Sequence, residues 1–392
     1  MSEKYYNNRQ AIAQLEYFTS KVIKNYSKYR NYDFGEQKTN YVSYLSASIN
    51  RRIVSEKDII AHILKFHRYN SIEKFIQEIC WGTYWKGFLE SHPMIWKYYL
   101  EKLENFNEKY SNTIYQNAIL GKTGIECFDF WSDQLNTYGY LHNHARMWYA
   151  SIWIHTLKLP WELGASHFLE YLVDGDIASN TLSWRWVAGL HTKGKTYLAR
   201  ADNIRKFTKG EFYPKNQLSK YPEKIQEENQ APEQILIFDN NRKNHNKCFL
   251  IHENDLSIKI PKYCGVLLVQ KKPLENLKRS KIVTSFVQES LKEIPNKILK
   301  YQTIKVFYID LEDIPAMCKI FKKENISSVE TAYPKIGYVK NHLEDISQKS
   351  KVEIMYNYSK WDKTFWPYTS KGFFKLKQKI PVLLKKLEII QK

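Results

Sequence analysis

Residues 121–186 read GKTGIECFDFWSDQLNTYGYLHNHARMWYASIWIHTLKLPWELGASHFLEYLVDGDIASNTLSWRW. Six of the 11 tryptophans fall in this stretch: Trp131, Trp148, Trp153, Trp161, Trp184 and Trp186. Tryptophan offers a large flat π face, so this density means either a very aromatic helical core or a surface for a planar ligand. The apolar spacing predicts a helix from Leu141 to Leu159, stopped by Pro160, and a second from Trp161 to Leu172, stopped by Asp174-Gly175-Asp176. His142-Asn143-His144-Ala145-Arg146-Met147 opens the first helix with a fixed cation, Arg146. Asp174 or Asp176 is placed to pair with it, and a buried arginine–carboxylate pair among tryptophan-rich helices would frame the polar edge of a planar ligand. A solvated turn is the plainer reading of the Asp-Gly-Asp triplet alone. A calcium loop is excluded because oxygen ligands do not continue at the required spacing. His142 and His144, two apart on a helix, point to different sides and make a poor metal pair, so no metal site is expected.

Outward from this stretch the pattern stays helical toward the N-terminus. Ser55-Glu-Lys-Asp58 is a capping box before Ile59-Ile60-Ala61-His62-Ile63-Leu64. Ser71 to Leu89 places Ile72, Phe75, Ile76, Ile79, Trp81 and Tyr84 at near-helical spacing. Strand signals are nearly absent before residue 234. Residues 215–232 turn polar and read as a linker. After them short β-rich runs alternate with helices: strands over 247–252, 265–270, 303–309, 328–333 and 352–356, and helices over 280–294, 311–323 and 335–347. That alternation predicts a parallel sheet with helices on both faces. The expected fold class is therefore multidomain, α then α/β: an all-helical domain over 1–214, a linker over 215–234, and a Rossmann-like parallel α/β domain over 235–392. No GxGxxG follows the first strand, so the second half is not an obvious dinucleotide site.

Composition agrees with two domains in 392 residues. Hydrophobic residues make up 43%, enough for real cores and against wholesale disorder. Sixty Lys and Arg against 41 Asp and Glu give a formal charge of +19, which predicts a polyanionic partner, most simply nucleic acid. The five cysteines are scattered and never form CxxC, which argues against a disulfide framework, a zinc ribbon or a four-cysteine iron–sulfur cluster and suits a reducing, cytoplasmic setting. No apolar run approaches the roughly 20 residues a bilayer needs, and MSEKYYNNRQ has no secretory h-region. No membrane association is expected.

Several pieces of the chain together resemble the FAD-binding domain of the DNA photolyase/cryptochrome family. They are Gly121-Lys-Thr-Gly124, His142-Asn143-x-x-Arg146-Met147, Asp174-Gly175-Asp176-x-Ala178-x-Asn180 and Trp184-x-Trp186, in the family's order and near its spacing. Upstream, Thr39-Asn-Tyr-Val-Ser43-Tyr-Leu45-Ser46 is similar to the family's phosphate-binding loop, with Tyr44 where an Arg is usual and Val42 where a Thr is usual. Tyr26-x-x-x-Arg30 matches a Tyr/Arg pair before that loop. Gln77-Glu78-Ile-Cys-Trp81 resembles the helix that reaches the flipped-out lesion, with Gly82 where an Arg is usual. The resemblance spans residues 20–210.

The resemblance implies FAD as cofactor, held by Tyr26, Ser43, Leu45, Ser46, Arg146, Asp174, Asp176 and Asn180. Asn180 would face the flavin N5, and Arg146 and Asp174 would form the ion pair beside the isoalloxazine. Trp184 and Trp161 would relay electrons, with Tyr110 nearest to a third member. Glu78, Trp81, Asn143, Met147 and Trp186 would line a lesion pocket, with Glu78 also assisting catalysis. Asn143 and Met147 favour the cyclobutane-dimer branch over the (6-4) branch. The implied activity is light-driven repair of cyclobutane pyrimidine dimers in DNA, a carbon–carbon lyase reaction, by a monomer. A cryptochrome-like blue-light photoreceptor is the alternative, to which Gly82 and His144, each replacing an expected cation, point. His191, Lys193, Lys195, Arg200, Arg205 and Lys206 are a candidate replacement footprint for DNA. In the second half, Cys248-Phe-Leu-Ile-His-Glu-Asn-Asp255-Leu256, Gly265–Gln270, Phe286–Leu291, Tyr333-Pro334 and Trp361–Ile380 resemble the family's antenna domain, which ordinarily precedes the FAD domain. A circular permutation, with a second antenna chromophore of unknown identity, is expected.

Overall fold

The computed structural model describes residues 8–35, 40–107, 112–192, 194–227, 233–238, 248–257, 259–262, 264–299 and 304–390. Its first part is helical: α1 (Asn8–Tyr17), α2 (Ile23–Tyr29), α3 (Ser46–Asn50), α4 (Glu56–Leu64), α5 (Tyr69–Ser91), α6 (Met94–Asn107), α7 (Thr113–Ile119), α8 (Glu126–Tyr138), α9 (Asn143–Ser151), α10 (Trp161–Tyr171), α11 (Ile177–Val187) and α12 (Ala201–Phe207). Ser55 caps α4 by accepting from the Asp58 N–H at 3.2 Å, as the capping-box sequence predicts. The stretch expected as one helix over 141–159 has two parts. After α9 the chain widens into a π turn over Ile152–Thr156, closed by the Leu157 N–H on the Ile152 carbonyl at 2.9 Å.

The second part holds β1 (Cys248–Ile251), β2 (Val266–Gln270), α13 (Lys281–Lys292), α14 (Ile294–Ile298), β3 (Lys305–Ile309), α15 (Ile314–Lys323), β4 (Ser328–Ala332), α16 (Tyr338–Ser350), β5 (Glu353–Asn357), α17 (Lys360–Phe365) and α18 (Phe373–Lys386). The five strands form one parallel sheet in the order β3-β2-β1-β4-β5. Central β1 and β2 are buried at every position, which explains their unbroken apolar reading, whereas the edge strands β3 and β5 are partly exposed.

The long helix α5 organises the molecule. It packs against α2 and α11 on the helical side and against α17 and α18 from beyond the sheet. The contact with the C-terminal segment is close: a Cβ on Gly87 would sit 2.5 Å from Thr369 Oγ1 and 2.7 Å from Trp366. The Trp361 indole N–H also donates to Thr83 Oγ1 at 2.9 Å. Buried charges join the helical part to the sheet. Arg52 meets Asp362, Asp255 at 3.1 Å and Glu56 at 4.0 Å. Glu253, past β1, receives Arg51 and Arg279. Glu90 accepts from the Tyr333 hydroxyl at 2.6 Å and the Ile336 N–H at 2.7 Å.

Candidate functional site

Most of the tryptophan cluster is core. Trp131, Trp148, Trp153 and Trp184 are fully buried, and Trp131 stacks on Trp148 with centroids 5.4 Å apart. What this core supports is a set of polar groups where α9 and α11 begin.

His142 caps α9, its Nδ1 accepting from the His144 N–H at 3.2 Å. Arg146 stands one turn in. Its Nε donates to the Leu141 carbonyl at 2.9 Å and its Nη2 to Asp174 Oδ2 at 2.9 Å. The guanidinium lies over the Tyr140 ring, which contacts the Tyr44 ring. Burial works against the Arg146 charge, but Asp174 and Tyr140 outweigh it and raise its pKa. Of the two carboxylates at the turn, Asp174 takes the arginine. Asp176 instead caps α11 by accepting from the Ser179 N–H at 2.7 Å, and its other oxygen lies 4.0 Å from Lys86. Both roles follow from position: the residue just before a helix turns its oxygen back onto that helix. Asp174 is 8% exposed, so the solvated-turn reading does not hold for it, and its Oδ1 is buried with no protein partner. Leaving such an atom unpaired costs about 1–3 kcal/mol, which marks a place for a ligand donor.

Asn180, in the first turn of α11, donates from Nδ2 to the Ala165 carbonyl at 2.8 Å. Leu45 is fully buried, and its N–H donates to Ser43 Oγ at 3.3 Å while the Ser43 carbonyl accepts from Gln14. Ser46 opens α3 immediately afterwards. Tyr44 takes φ +55°, the left-handed region. Tyr26 is placed differently from these loop residues. Its ring packs on Phe18 and Phe75, and its hydroxyl lies in the field of Glu78 and Arg30, with burial first and then Glu78 raising its pKa.

A second cluster lies around the end of α2, which reaches both α5 and α9. Glu78 and Trp81, three apart, share one face of α5. Asn143 and Met147, four apart, share one face of α9. The end of α2 ties the two helices together: Arg30 reaches Glu78 at 3.4 Å, and His144 Nδ1 bonds the Asn31 carbonyl at 2.9 Å. Burial raises the Glu78 pKa, with Arg30 opposing. His144 stacks on Trp148 at 4.1 Å, and burial pushes its pKa down to about 4, so it is neutral and turned inward. Gly82 leaves open space: a Cβ there would meet nothing within 4 Å. Trp186 stacks on Tyr197 at 5.5 Å.

Three residues outside the sequence expectation shape this region. Phe373, at the start of α18, lies flat on Trp81 with centroids 3.6 Å apart and planes at 14°. Trp153 is the tryptophan in ring contact with Trp184, at 6.1 Å, whereas Trp161 contacts Tyr99 at 5.6 Å. Gly164 makes the Trp184 position possible, since a Cβ there would lie 2.3 Å from the indole. The Trp153 contact depends on the π turn, which apolar spacing does not reveal. Tyr110, Lys193 and Thr39 lie outside the described residues. Among the described residues no group of three His, Cys, Asp or Glu is arranged to hold a metal ion, and no helix is long and apolar enough to cross a membrane.

A family model described as the FAD binding domain of DNA photolyase matches residues 75–235. A deoxyribodipyrimidine photo-lyase of Streptomyces griseus is 34% identical over 146 residues, 34% of this chain and 32% of that protein. One from Escherichia coli K12 is 27% identical over 194 residues, 48% of this chain and 40% of that protein. A solved class III photolyase from Agrobacterium tumefaciens aligns with TM-score 0.46 and 24% identity, covering 54% of this chain and 44% of that one. The chain thus spans less than half the length of the curated relatives it matches, 32% and 40% for these two. Residues 75–235 are thus similar to the FAD-binding domain of DNA photolyase.

Proposed function

We propose that this protein binds FAD in its helical part and uses it for light-driven repair of cyclobutane pyrimidine dimers in DNA. The observation that carries the reading is the buried Arg146–Asp174 pair with its unpartnered Asp174 Oδ1, close in sequence to the capped start of α11. An acceptor facing no protein donor, beside a fixed cation, fits the imide edge of a flavin. Ser43, Leu45 and Ser46, ahead of α3, would hold the pyrophosphate. Asp176 and Asn180 would border the ring, and Tyr26 would act from the adjoining core. FAD, when reduced and excited by blue light, supplies one electron to the dimer.

The chain's own share is placement and electrostatics. Arg146 keeps a positive charge at the flavin edge. Trp184 and Trp161 supply oxidisable rings behind it. Glu78, Trp81, Asn143, Met147 and Trp186 would receive a dimer turned out of the duplex, which stacks poorly and so costs less to extrude. The +19 charge would gather DNA through phosphate contacts. The sheet, with its order β3-β2-β1-β4-β5, supports reading the second half as the family's antenna-type module placed after the FAD module. A second chromophore there is left open. All five cysteines are free, which supports a reducing, cytoplasmic setting.

A second reading, a blue-light photoreceptor without repair, is favoured by His144, whose neutral ring faces inward where a cation would hold the lesion backbone. A repair assay separates the two. The purified protein is incubated with a thymine-dimer oligonucleotide under blue light and in the dark. Light-dependent loss of dimers supports repair. Flavin photoreduction with no dimer loss selects the photoreceptor.

A further inference from the structure

The segment from Lys360 to Lys386 carries eight lysines and one acid, Asp362. That acid is buried and committed to Arg52. The remaining charge is therefore uncompensated within the segment. Helix α18 turns Phe373, Leu376, Ile380, Leu383 and Leu384 into the core. Its opposite face shows Lys375, Lys379, Lys385 and Lys386 to solvent, with Phe374 77% exposed among them. None of these four lysines pairs with a carboxylate among the described residues.

This cationic face is rigidly referenced to the candidate lesion pocket. The helix that carries Glu78 and Trp81 is also the one on which the C-terminal segment docks, through Gly87, Thr83 and the Trp81–Phe373 stack. Two cations that the pocket would ordinarily use are missing at Gly82 and His144. We infer that α18 is a phosphate-gripping surface that seats the DNA backbone beside the pocket and replaces those cations. This inference rests on the repair reading. At a rise of 1.5 Å per residue, Lys375 to Lys386 spans about 16 Å, roughly five phosphates of one strand measured along the duplex axis. Charge complementarity and continuity with the pocket select DNA. A helix that lies on a membrane must offer its apolar face to lipid, and here that face is already spent on the core.

The test compares the full-length, flavin-loaded protein with a variant carrying Lys375→Gln, Lys379→Gln, Lys385→Gln and Lys386→Gln. Binding to a labelled duplex with one thymine dimer is measured between 50 and 200 mM salt. Each lost phosphate contact lowers the slope of log K against log salt by about 0.9, so the slope should fall by roughly 2–4. Affinity at the lower salt should drop at least tenfold, with flavin absorbance and photoreduction unchanged. A variant that keeps the wild-type slope and affinity overturns this inference alone. A wild-type protein that does not bind DNA overturns it together with the repair reading. A variant that loses the slope, in a protein whose wild type binds DNA but does not repair dimers, overturns the pocket-serving role of α18 together with the repair reading. Retention on phosphatidylglycerol vesicles, with DNA binding unaffected by the four substitutions, overturns it in favour of a membrane surface.

Discussion

Two arginines of this protein are used in opposite ways. Arg52 is enclosed by Asp362, Asp255 and Glu56, which come from three separate stretches of chain. That cluster ties the helical part to the sheet. Arg146 has a single carboxylate, Asp174, of which one oxygen is left over, and its own side chain stays 23% exposed. A closed cluster is a clamp. An open one is a place for a ligand, because the free valence has to be met by something. The contrast teaches that burial and pairing alone do not mark a functional site in this fold; a spare acceptor beside a fixed cation is what sets Asp174 apart from the closed Arg52 cluster.

The largest expected effect breaks the clamp. Arg52→Met leaves buried Asp362 and Asp255 without their arginine, and Glu56 with Lys86 alone, and should cost about 3–5 kcal/mol, read as a lowered urea midpoint. An unchanged midpoint would mean that water, and not Arg52, satisfies those acids.

Acid titration should separate the two parts of the molecule next. Burial, with help from Arg146, pushes the His142 pKa down to about 4, and burial, with help from Lys278, takes His167 to about 3. Unfolded imidazoles titrate near 6.5. Below that pH the unfolded chain binds protons that the folded chain refuses, so stability falls as pH falls, by up to about 1.4 kcal/mol per unit for each ring. Protonation would also remove the acceptor with which His142 caps α9. Glu253 behaves otherwise. Burial alone would raise its pKa, but Arg279 and Arg51 outweigh it and hold the carboxyl at about 2. Its contribution is complete above the ordinary carboxylate range and is lost only as pH falls from about 4.5 toward 2. Hydrogen exchange should therefore show α9 and α10 losing protection at milder acidity than the β1–β2 region. The reverse order would contradict these assignments.

The smallest effect on stability is expected at Glu78, whose ion pair with Arg30 is long and partly exposed. Glu78→Ala should change stability by less than about 1 kcal/mol, while lowering repair yield at least tenfold with FAD still bound. Loss of FAD from this variant would move α5 from the lesion pocket to the cofactor seat.

The sequence made the sheet readable almost residue by residue, since β1 and β2 are unbroken buried apolar runs and each strand expected over 247–356 appears within two or three residues of its place. The helices expected over 59–64, 71–89 and 161–172 also appear, down to the Ser55 cap. Three features were not. Nothing in the apolar period of 141–159 distinguishes an α turn from the π turn that sets Trp153 against Trp184. The residues by themselves left both Asp174 and Asp176 open as the arginine's partner, and only the family resemblance named Asp174, because which one caps α11 is a matter of backbone geometry. Phe373 reaches Trp81 across 292 positions of chain, and only the docking of α18 on α5 reveals that contact. Long-range contacts of this kind leave no local pattern, whereas caps and strands do.

The most direct test of the open-pair account is the flavin content of the purified protein, read from its blue absorbance, in the wild type and in Asp174→Asn. The amide keeps the shape of the carboxylate but not its charge or its second acceptor. The account predicts roughly one FAD per chain in the wild type, and a much weakened or colourless Asp174→Asn variant that keeps the wild-type helical circular dichroism. A colourless wild type, or a variant that holds flavin as tightly as its parent, would contradict it.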